Sequence, residues 1–440
     1  MFSLFNFFSR VDSFFWANIA FILIVSLGVF MTVRMGFFQL TSVPGALRLF
    51  WSFIISGSKE KKGVHPLKAF FASVGGMIGI GNIVGVVTAL QIGGPGALFW
   101  LWLTAFLGSI IKYSEIYLGI KYRVPNSRGG YDGGPIYFLK AAFKGMWAPT
   151  LVAVLLCIYG VEIYQFTVLT DCLSSNWSLN RPLVMLVLLT LILFASVGGV
   201  KRIGRIGVYV MPVFVIIYIV MSLYVIISNA ALLPAIFLSV FKTAFTGHSA
   251  VGGFVGSSIF LAIQHGMARA AYSADIGIGY DSIIQSESSV THSEKQASIS
   301  VIGVFIDSFI CTMSILMVLI SGLWTASPQL ATSDLVQNTL SLYFPYMKVF
   351  LPLFLLVTGF TTIIAYMCVG LKCARFLSPK YGERIYVLYG IFAFIYFSYF
   401  DPSVPLLVMS IAGALLLIIN LLGIFRLRDE VKSPSFVYDM

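Results

Sequence analysis

Runs of about twenty apolar residues recur from one end of this chain to the other, and the same glycine tract interrupts two of them. Ile78-Gly79-Ile80-Gly81-Asn82 returns, with one change, as Ile276-Gly277-Ile278-Gly279-Tyr280. A helix that crosses a bilayer needs about 20 mostly apolar residues. Glycine in its interior costs about 0.8–1.0 kcal/mol relative to alanine. A membrane chain that breaks its helices at matched places in two halves is building a midplane binding site from freed backbone groups.

Only 10% of the 440 residues are charged and 59% are apolar, against roughly 25% charged in a soluble domain. Too little polar surface exists to coat a globule of this size, so the solvent is lipid. Eleven spans are expected, at 14–33, 68–92, 96–121, 147–171, 182–200, 207–229, 251–281, 296–324, 346–371, 383–400 and 403–425. The fold class is therefore an all-α integral membrane protein. Segments 44–56, 132–144 and 234–245 read as short interfacial helices.

The net charge of +11 does not point to nucleic acid, because of where the bases lie. Alternate loops (34–68, 121–144, 201–205, 281–296, 372–384 and the tail after 425) hold 22 of the 28 Lys and Arg residues. The opposite loops hold Arg10, Arg181, Lys242 and Lys348. This bias places the N-terminus outside and the C-terminus in the cytoplasm, in a plasma membrane, the inner one in a Gram-negative cell. It also runs the two broken spans in opposite directions, the sign of an inverted repeat. The expected organisation is an N-terminal helix and basic segment (1–67), a first five-helix repeat (68–229), an inverted second repeat (230–425) and a tail (426–440). The five cysteines form no Cys-x-x-Cys pair, so neither zinc nor a disulfide framework is indicated. Arg34 and a basic loop follow the first apolar segment, which suits an uncleaved span.

Unwinding a helix at mid-bilayer leaves N–H and C=O groups without partners, each costing several kcal/mol in hydrocarbon unless something occupies it. Carbonyls that end a half-helix suit a small cation, and amides that open one suit a carboxylate. An amino acid with Na⁺ fits both. The plainer reading is that the glycines only pack helices together, but matched copies in antiparallel spans favour the site. Gly79, Gly81 and Gly85 mimic a dinucleotide fingerprint without its spacing or its strand–turn–helix setting. Asp275 precedes the second tract, and an ionisable group at that depth is a functional candidate by default; it faces a substrate ammonium, a cation or Arg269. Glu162 and Asp307, within spans, read equally as structural and transport groups. Lys112 and Glu115, at i and i+3, are expected to pair with each other. Thr358, Thr361 and Thr362 place hydroxyls on neighbouring turns, where threonine often bonds back to its own helix.

The tract Phe71-Ala72-Ser73-Val74-Gly75-Gly76-Met77-Ile78-Gly79-Ile80-Gly81-Asn82-Ile83-Val84-Gly85-Val86, then Gly93-Gly94-Pro95-Gly96 and Lys112-Tyr113-Ser114-Glu115, closely resembles the alanine or glycine:cation symporter family. Gly198 to Ile203, Val251 to Phe254, Arg269 to Gly279, Phe305 to Asp307 and Phe360 to Ala365 extend the resemblance, which covers about residues 65–425. It implies a LeuT-type five-plus-five inverted repeat with one added N-terminal helix. It also implies that small neutral amino acids such as alanine, glycine, serine or D-alanine move with Na⁺ or H⁺. By the same resemblance, Gly79, Ile80, Gly81, Asn82, Gln165, Asp275, Gly277 and Gly279 surround the substrate, with the Ile80 and Gly81 amides on its carboxylate. Gly75, Ile78, Thr358, Thr361 and Thr362 would hold Na⁺, a hard cation that prefers oxygen ligands.

Departures surround the substrate rather than the scaffold. Where the family has Ser-Asn-Glu-Ala-Gly, this chain has Ser273-Ala274-Asp275-Ile276-Gly277. A stretch rich in Ser, Pro and His is here Tyr280-Asp281-Ser282-Ile283-Ile284-Gln285. The family's Gly-Asn-x-x-Gln run becomes Gly160-Val161-Glu162-Ile163-Tyr164-Gln165. The function expected is symport by alternating access, with Na⁺ as co-transported ion, no cofactor and a monomeric carrier. No Walker-type phosphate loop is present, so an ion gradient must drive transport. Proton coupling on the same scaffold is the first rival. A channel would need a polar or carbonyl-lined filter, and an intramembrane enzyme would need a hydrolytic or metal motif around His65, His248, His265 or His292; the sequence carries neither. Asn176-Trp177-Ser178 is a glycosylation sequon on the expected outer face.

Overall fold

Lipid offers no partner to a bare peptide group, so a chain of this kind must satisfy its backbone within helices. A computed structural model describes residues 2–55, 62–127, 129–196, 199–246, 259–327 and 329–434, and these are almost wholly helical. Among the described residues six helical stretches are long and apolar enough to cross a membrane: Leu4–Arg34, Ala97–Lys121, Trp147–Trp177, Ser293–Ser321, Met347–Leu377 and Ser403–Arg426. Two bent pairs also qualify: Pro66–Met77 with Gly81–Gly93, bent by 47°, and Pro212–Ser228 with Ala230–Thr246, bent by 70°.

The spans expected at 182–200 and 383–400 are represented by Arg181–Ser196 and Gly382–Phe397, each of 16 residues. Such a helix rises about 24 Å, a little short of the roughly 30 Å hydrocarbon layer. The start of the seventh expected span, with the Val251–Phe254 motif and His248, lies outside the described residues. Helices Val43–Ile55, Pro135–Phe143 and Leu233–Thr246 form where interfacial segments were expected.

Eight helices position the site. They are α1 (Pro66–Met77), α2 (Ala97–Lys121), α3 (Ile163–Trp177), α4 (Ile259–Ser273), α5 (Tyr280–Gln285), α6 (Ser293–Ser321), α7 (Met347–Leu377) and α8 (Ser403–Arg426). α1 begins with Pro66 at its first turn, and His65 Nδ1 accepts from the Leu67 amide. It stops where Ile78 turns extended, with φ −82° and ψ 96°. A single wide turn, Gly81–Gly85, carries the chain on into Val86–Gly93. The second interruption lies between α4 and α5, where Asp275, Gly277 and Gly279 all have positive φ (50°, 72° and 104°). Glycine enters that region without strain and aspartate only at a cost, so the turn at Asp275 is held by its surroundings. α2 is buried through most of its length and packs against α4, α5 and α6.

Candidate functional site

At the first break, two amides that helix geometry abandons find side-chain oxygens. Gly79 N–H donates to Asn82 Oδ1 at 3.0 Å, and Ile80 N–H donates to Gln165 Oε1 on α3 at 3.2 Å. An orphaned buried amide costs about 1–3 kcal/mol, so these contacts maintain the unwound form. Gly79 is required by space: a Cβ there would stand 2.4 Å from Thr362 Oγ1 and 2.6 Å from Gln165 Oε1. Oxygens from α3 and α7 thus close on one backbone carbon of the broken helix. Thr362 Oγ1 also lies 3.4 Å from the Gly75 carbonyl. Thr358 donates to Phe354 O, and Thr361 to Thr358 O and Val357 O. These hydroxyls bond back along their own helix, as does Thr362 to Thr358 O. The donor set is all oxygen, neutral and buried, a fit for a hard monovalent cation.

At the second break the sequence-based pairing is corrected. Lys112 does not pair with Glu115. Its ammonium reaches Asp281 Oδ2 at 2.7 Å and lies 3.7 Å from Asp275 Oδ2. It also donates to the Ala274 carbonyl at 2.6 Å. A lysine ammonium therefore caps the carbonyl end of α4, where helix polarity favours positive charge. Spacing along α2 could not reveal this, because the partners come from a break 160 residues away in sequence. Nor does Arg269 partner Asp275. A Cβ on Gly85 would instead lie 3.3 Å from an Arg269 guanidinium nitrogen, and Arg269 lines the central cavity. Asp275 Oδ2 accepts the Asp281 amide at 2.8 Å, and Asn420 Nδ2 on α8 donates to the Gly277 carbonyl at 3.0 Å.

Between the breaks lies a cavity of about 40 Å³, walled by Gly76, Met77, Gly81, Tyr159, Glu162, Tyr164, Gln165, Arg269, Tyr272, Ser273, Tyr366, Leu406 and Met409. That is room for about three waters. Gln165 Nε2 donates to Glu162 Oε2 at 3.0 Å. Asp307 on α6 ties the two halves together: Asn82 Nδ2 donates to Oδ1 at 2.5 Å and Ser273 Oγ to Oδ2 at 2.8 Å. Tyr280 stacks on Tyr366, which lines the cavity, with ring centroids 3.8 Å apart, and donates to Ala72 O at 3.1 Å. A Cβ on Gly76 would fall 1.8 Å from the Tyr280 oxygen. Beyond it, Gln285 bridges Ser73 and Asp281, and Gln296 bridges Gln285 and Pro66 O. At that same, base-rich end Lys372 joins Asp132 and Glu287.

Two interrupted helices, an oxygen-lined first break and a small polar-walled cavity between them suit a transporter. The profile described as the sodium:alanine symporter family matches residues 1–439. The chain belongs to that family. It is 29% identical over 445 residues to the sodium/alanine symporter AgcS of Methanococcus maripaludis, covering 98% of this chain and 96% of the relative. It is also 29% identical over 426 residues to a probable sodium/glutamine symporter, GlnT, of Bacillus subtilis, covering 94% and 87%. Among solved structures, MhsT in complex with L-phenylalanine superposes with a TM-score of 0.58 at 13% identity, covering 87% of this chain and 95% of that one. Membership makes the protein a multi-pass, sodium-coupled amino-acid transporter rather than an enzyme, and the likeness to MhsT makes the fold LeuT-like.

Of the residues singled out in the sequence, Gly75, Ile78, Gly79, Ile80, Asn82, Gln165 and Thr362 come together at the first break, while Thr358 and Thr361 lie on neighbouring turns of α7 with their hydroxyls bonded along that helix. Gly81 lines the cavity. Asp275, Gly277 and Gly279 form the second break, next to Lys112 rather than to open cavity. Sequence reasoning missed Tyr280, Tyr366, Asp281 and Asn420. Only the departure at 280–285 from the family pattern could have flagged two of them.

Proposed function

We propose that the protein imports a small neutral amino acid together with Na⁺ by alternating access, with alanine and glycine foremost, and serine and D-alanine as further candidates. The observation that carries this reading is the convergence of Gln165 Oε1 and Thr362 Oγ1 on Gly79, beside the Ile80 amide. In this reading Na⁺ takes oxygens from Gly75, Ile78, Thr358, Thr361 and Thr362. The substrate carboxylate displaces Gln165 from the Ile80 amide and takes the Gly81 amide, with Gly79, Asn82 and the second-break residues Asp275, Gly277 and Gly279 completing its surroundings. Residues 68–229 and 230–425 act as inverted five-helix repeats. The base-rich end faces the cytoplasm, which puts the N-terminus outside the plasma membrane, and the carrier works as a monomer.

Glu162, Gln165 and Arg269 give the cavity a more polar wall than a methyl side chain needs. A longer polar amino acid such as glutamine is the second candidate, in keeping with the name of the Bacillus relative. The deciding experiment is uptake of labelled alanine into proteoliposomes, with unlabelled glycine, serine, D-alanine and glutamine as competitors and choline in place of Na⁺. Competition by the small amino acids and loss of uptake in choline are expected. Uptake indifferent to Na⁺, or competed by glutamine alone, would replace the ion or the substrate in this reading.

A further inference from the structure

Three carboxylates and one ammonium meet at the second break, and all four residues, Lys112, Glu115, Asp275 and Asp281, are at most 1% exposed. Fully ionised, three negative charges against one positive leave the cluster at −2, buried away from bulk solvent. Asp281 is matched by Lys112 at 2.7 Å and by the Gln285 amide at 2.8 Å, and one Asp275 oxygen accepts the Asp281 amide. Glu115 has no such account. Among the described residues no side chain donates to either of its buried carboxylate oxygens, and only the Gly277 backbone amide approaches them.

The packing around Glu115 leaves little room for a metal ion. Its Oε1 lies 3.4 Å from where a Cβ on Gly279 would stand, with Asn420 Nδ2 at 3.1 Å and Pro135 Cγ at 2.7 Å from the same point. The carbonyl end of α4, which could have received a cation, is already filled by Lys112. Among the described residues no group of three or more Asp, Glu, His or Cys side chains is placed to hold a metal ion. The charged groups facing Glu115 are Lys112 on its own helix, Asp275 at the break and Asp281 on α5. Helix Pro135–Phe143 and α8 present Pro135 and Asn420, which do not titrate. A buried carboxylate that faces two others, with the one lysine already engaged by Asp281 and no side-chain donor of its own, is costly to keep ionised, and neutralisation is the ordinary escape.

We propose that Glu115 is a proton-binding site at the second break. It holds a carboxylic-acid proton while the break is closed and exchanges it with water when the Gly277–Gly279 segment moves, so that proton occupancy is linked to the transport cycle. No bond other than O–H forms or breaks, and the proton comes from and returns to water. The proposal goes beyond the Na⁺ reading and rests on it only for the uptake measurement below.

The test is infrared spectroscopy of the full-length protein in lipid nanodiscs at neutral pH, without Na⁺ or amino acid, in H₂O and D₂O. A protonated-carboxyl carbonyl band that shifts on deuteration is expected in the wild type and should vanish in Glu115→Gln. Glu115→Asp, which keeps an acid on a shorter stem, should retain a displaced band, so a poorly folding Gln variant does not remove the test. In proteoliposomes, wild-type uptake should fall by up to tenfold per pH unit on its alkaline limb, and Glu115→Gln should flatten that limb. A band unchanged in Glu115→Gln overturns the proposal. So does a wild type lacking the band whose carboxylate bands respond to Na⁺, which would mark a metal-cation site instead. Because the infrared measurement contains no substrate, it can succeed even if no amino acid is transported. Equally, intact Na⁺-driven uptake without a Glu115 band refutes this site alone.

Discussion

Gly79 shows how one hydrogen atom in place of a methyl group lets two side-chain oxygens close on a broken helix, the arrangement on which the proposed site rests. The two oxygens within 2.6 Å of its missing Cβ approach only because nothing projects there. Overfilling a packed interior costs about 1–3 kcal/mol, and here the atoms that must yield are the proposed ligands themselves. Gly79→Ala is therefore expected to abolish Na⁺-driven uptake while the protein still inserts and unfolds only modestly earlier in a detergent melt; uptake at wild-type rate would move the site elsewhere. Thr362→Ala makes the opposite change, removing an oxygen while leaving space. A hydrogen bond or ligand to a charged group contributes about 1.5–3 kcal/mol. The Na⁺ concentration for half-maximal uptake should then rise about tenfold to a hundredfold, read from a Na⁺ titration at fixed substrate. An unchanged midpoint would take Thr362 out of the ion site.

At the scale of whole helices, the division between what could and could not be read from the chain follows range. The long spans and both breaks are local matters of apolar length and of glycines that the helix tolerates poorly, and these were legible. The pairing of Lys112 was not, because i and i+3 spacing pointed to Glu115 while the partners sit across a tertiary contact from α2 to the α4–α5 break. The tie made by Asp307 is of the same long-range kind. It reaches Asn82 of one broken helix and Ser273 of the other, which makes α6 the element that senses both. Asp307→Asn leaves one oxygen to serve two donors, and stranding a buried donor costs about 1–3 kcal/mol. The variant should melt earlier and lose maximal uptake more than apparent substrate affinity. Wild-type thermal stability with wild-type uptake would show that the two helices are not joined through this carboxylate.

The whole molecule is a device for exchanging one free energy for another, and its charge bookkeeping fixes how far it can go. A neutral zwitterion moving with one Na⁺ carries one positive charge inward. Crossing about 100 mV contributes about 2.3 kcal/mol, and a tenfold Na⁺ gradient adds about 1.4 kcal/mol. Together these sustain an accumulation of roughly several-hundred-fold, since each 1.4 kcal/mol is a factor of ten. Removing the Na⁺ gradient while a potassium-diffusion potential persists should lower the steady-state ratio about tenfold. Removing the potential at constant Na⁺ gradient should lower it about fiftyfold. A second coupled ion, such as a proton bound at Glu115, would make the ratio respond to a pH gradient as well. If it did, the tenfold effect of Na⁺ alone should survive in Glu115→Gln while the pH response disappears. Labelled-alanine accumulation in proteoliposomes under imposed gradients measures all three quantities, and a ratio insensitive to voltage would contradict net movement of charge with the substrate.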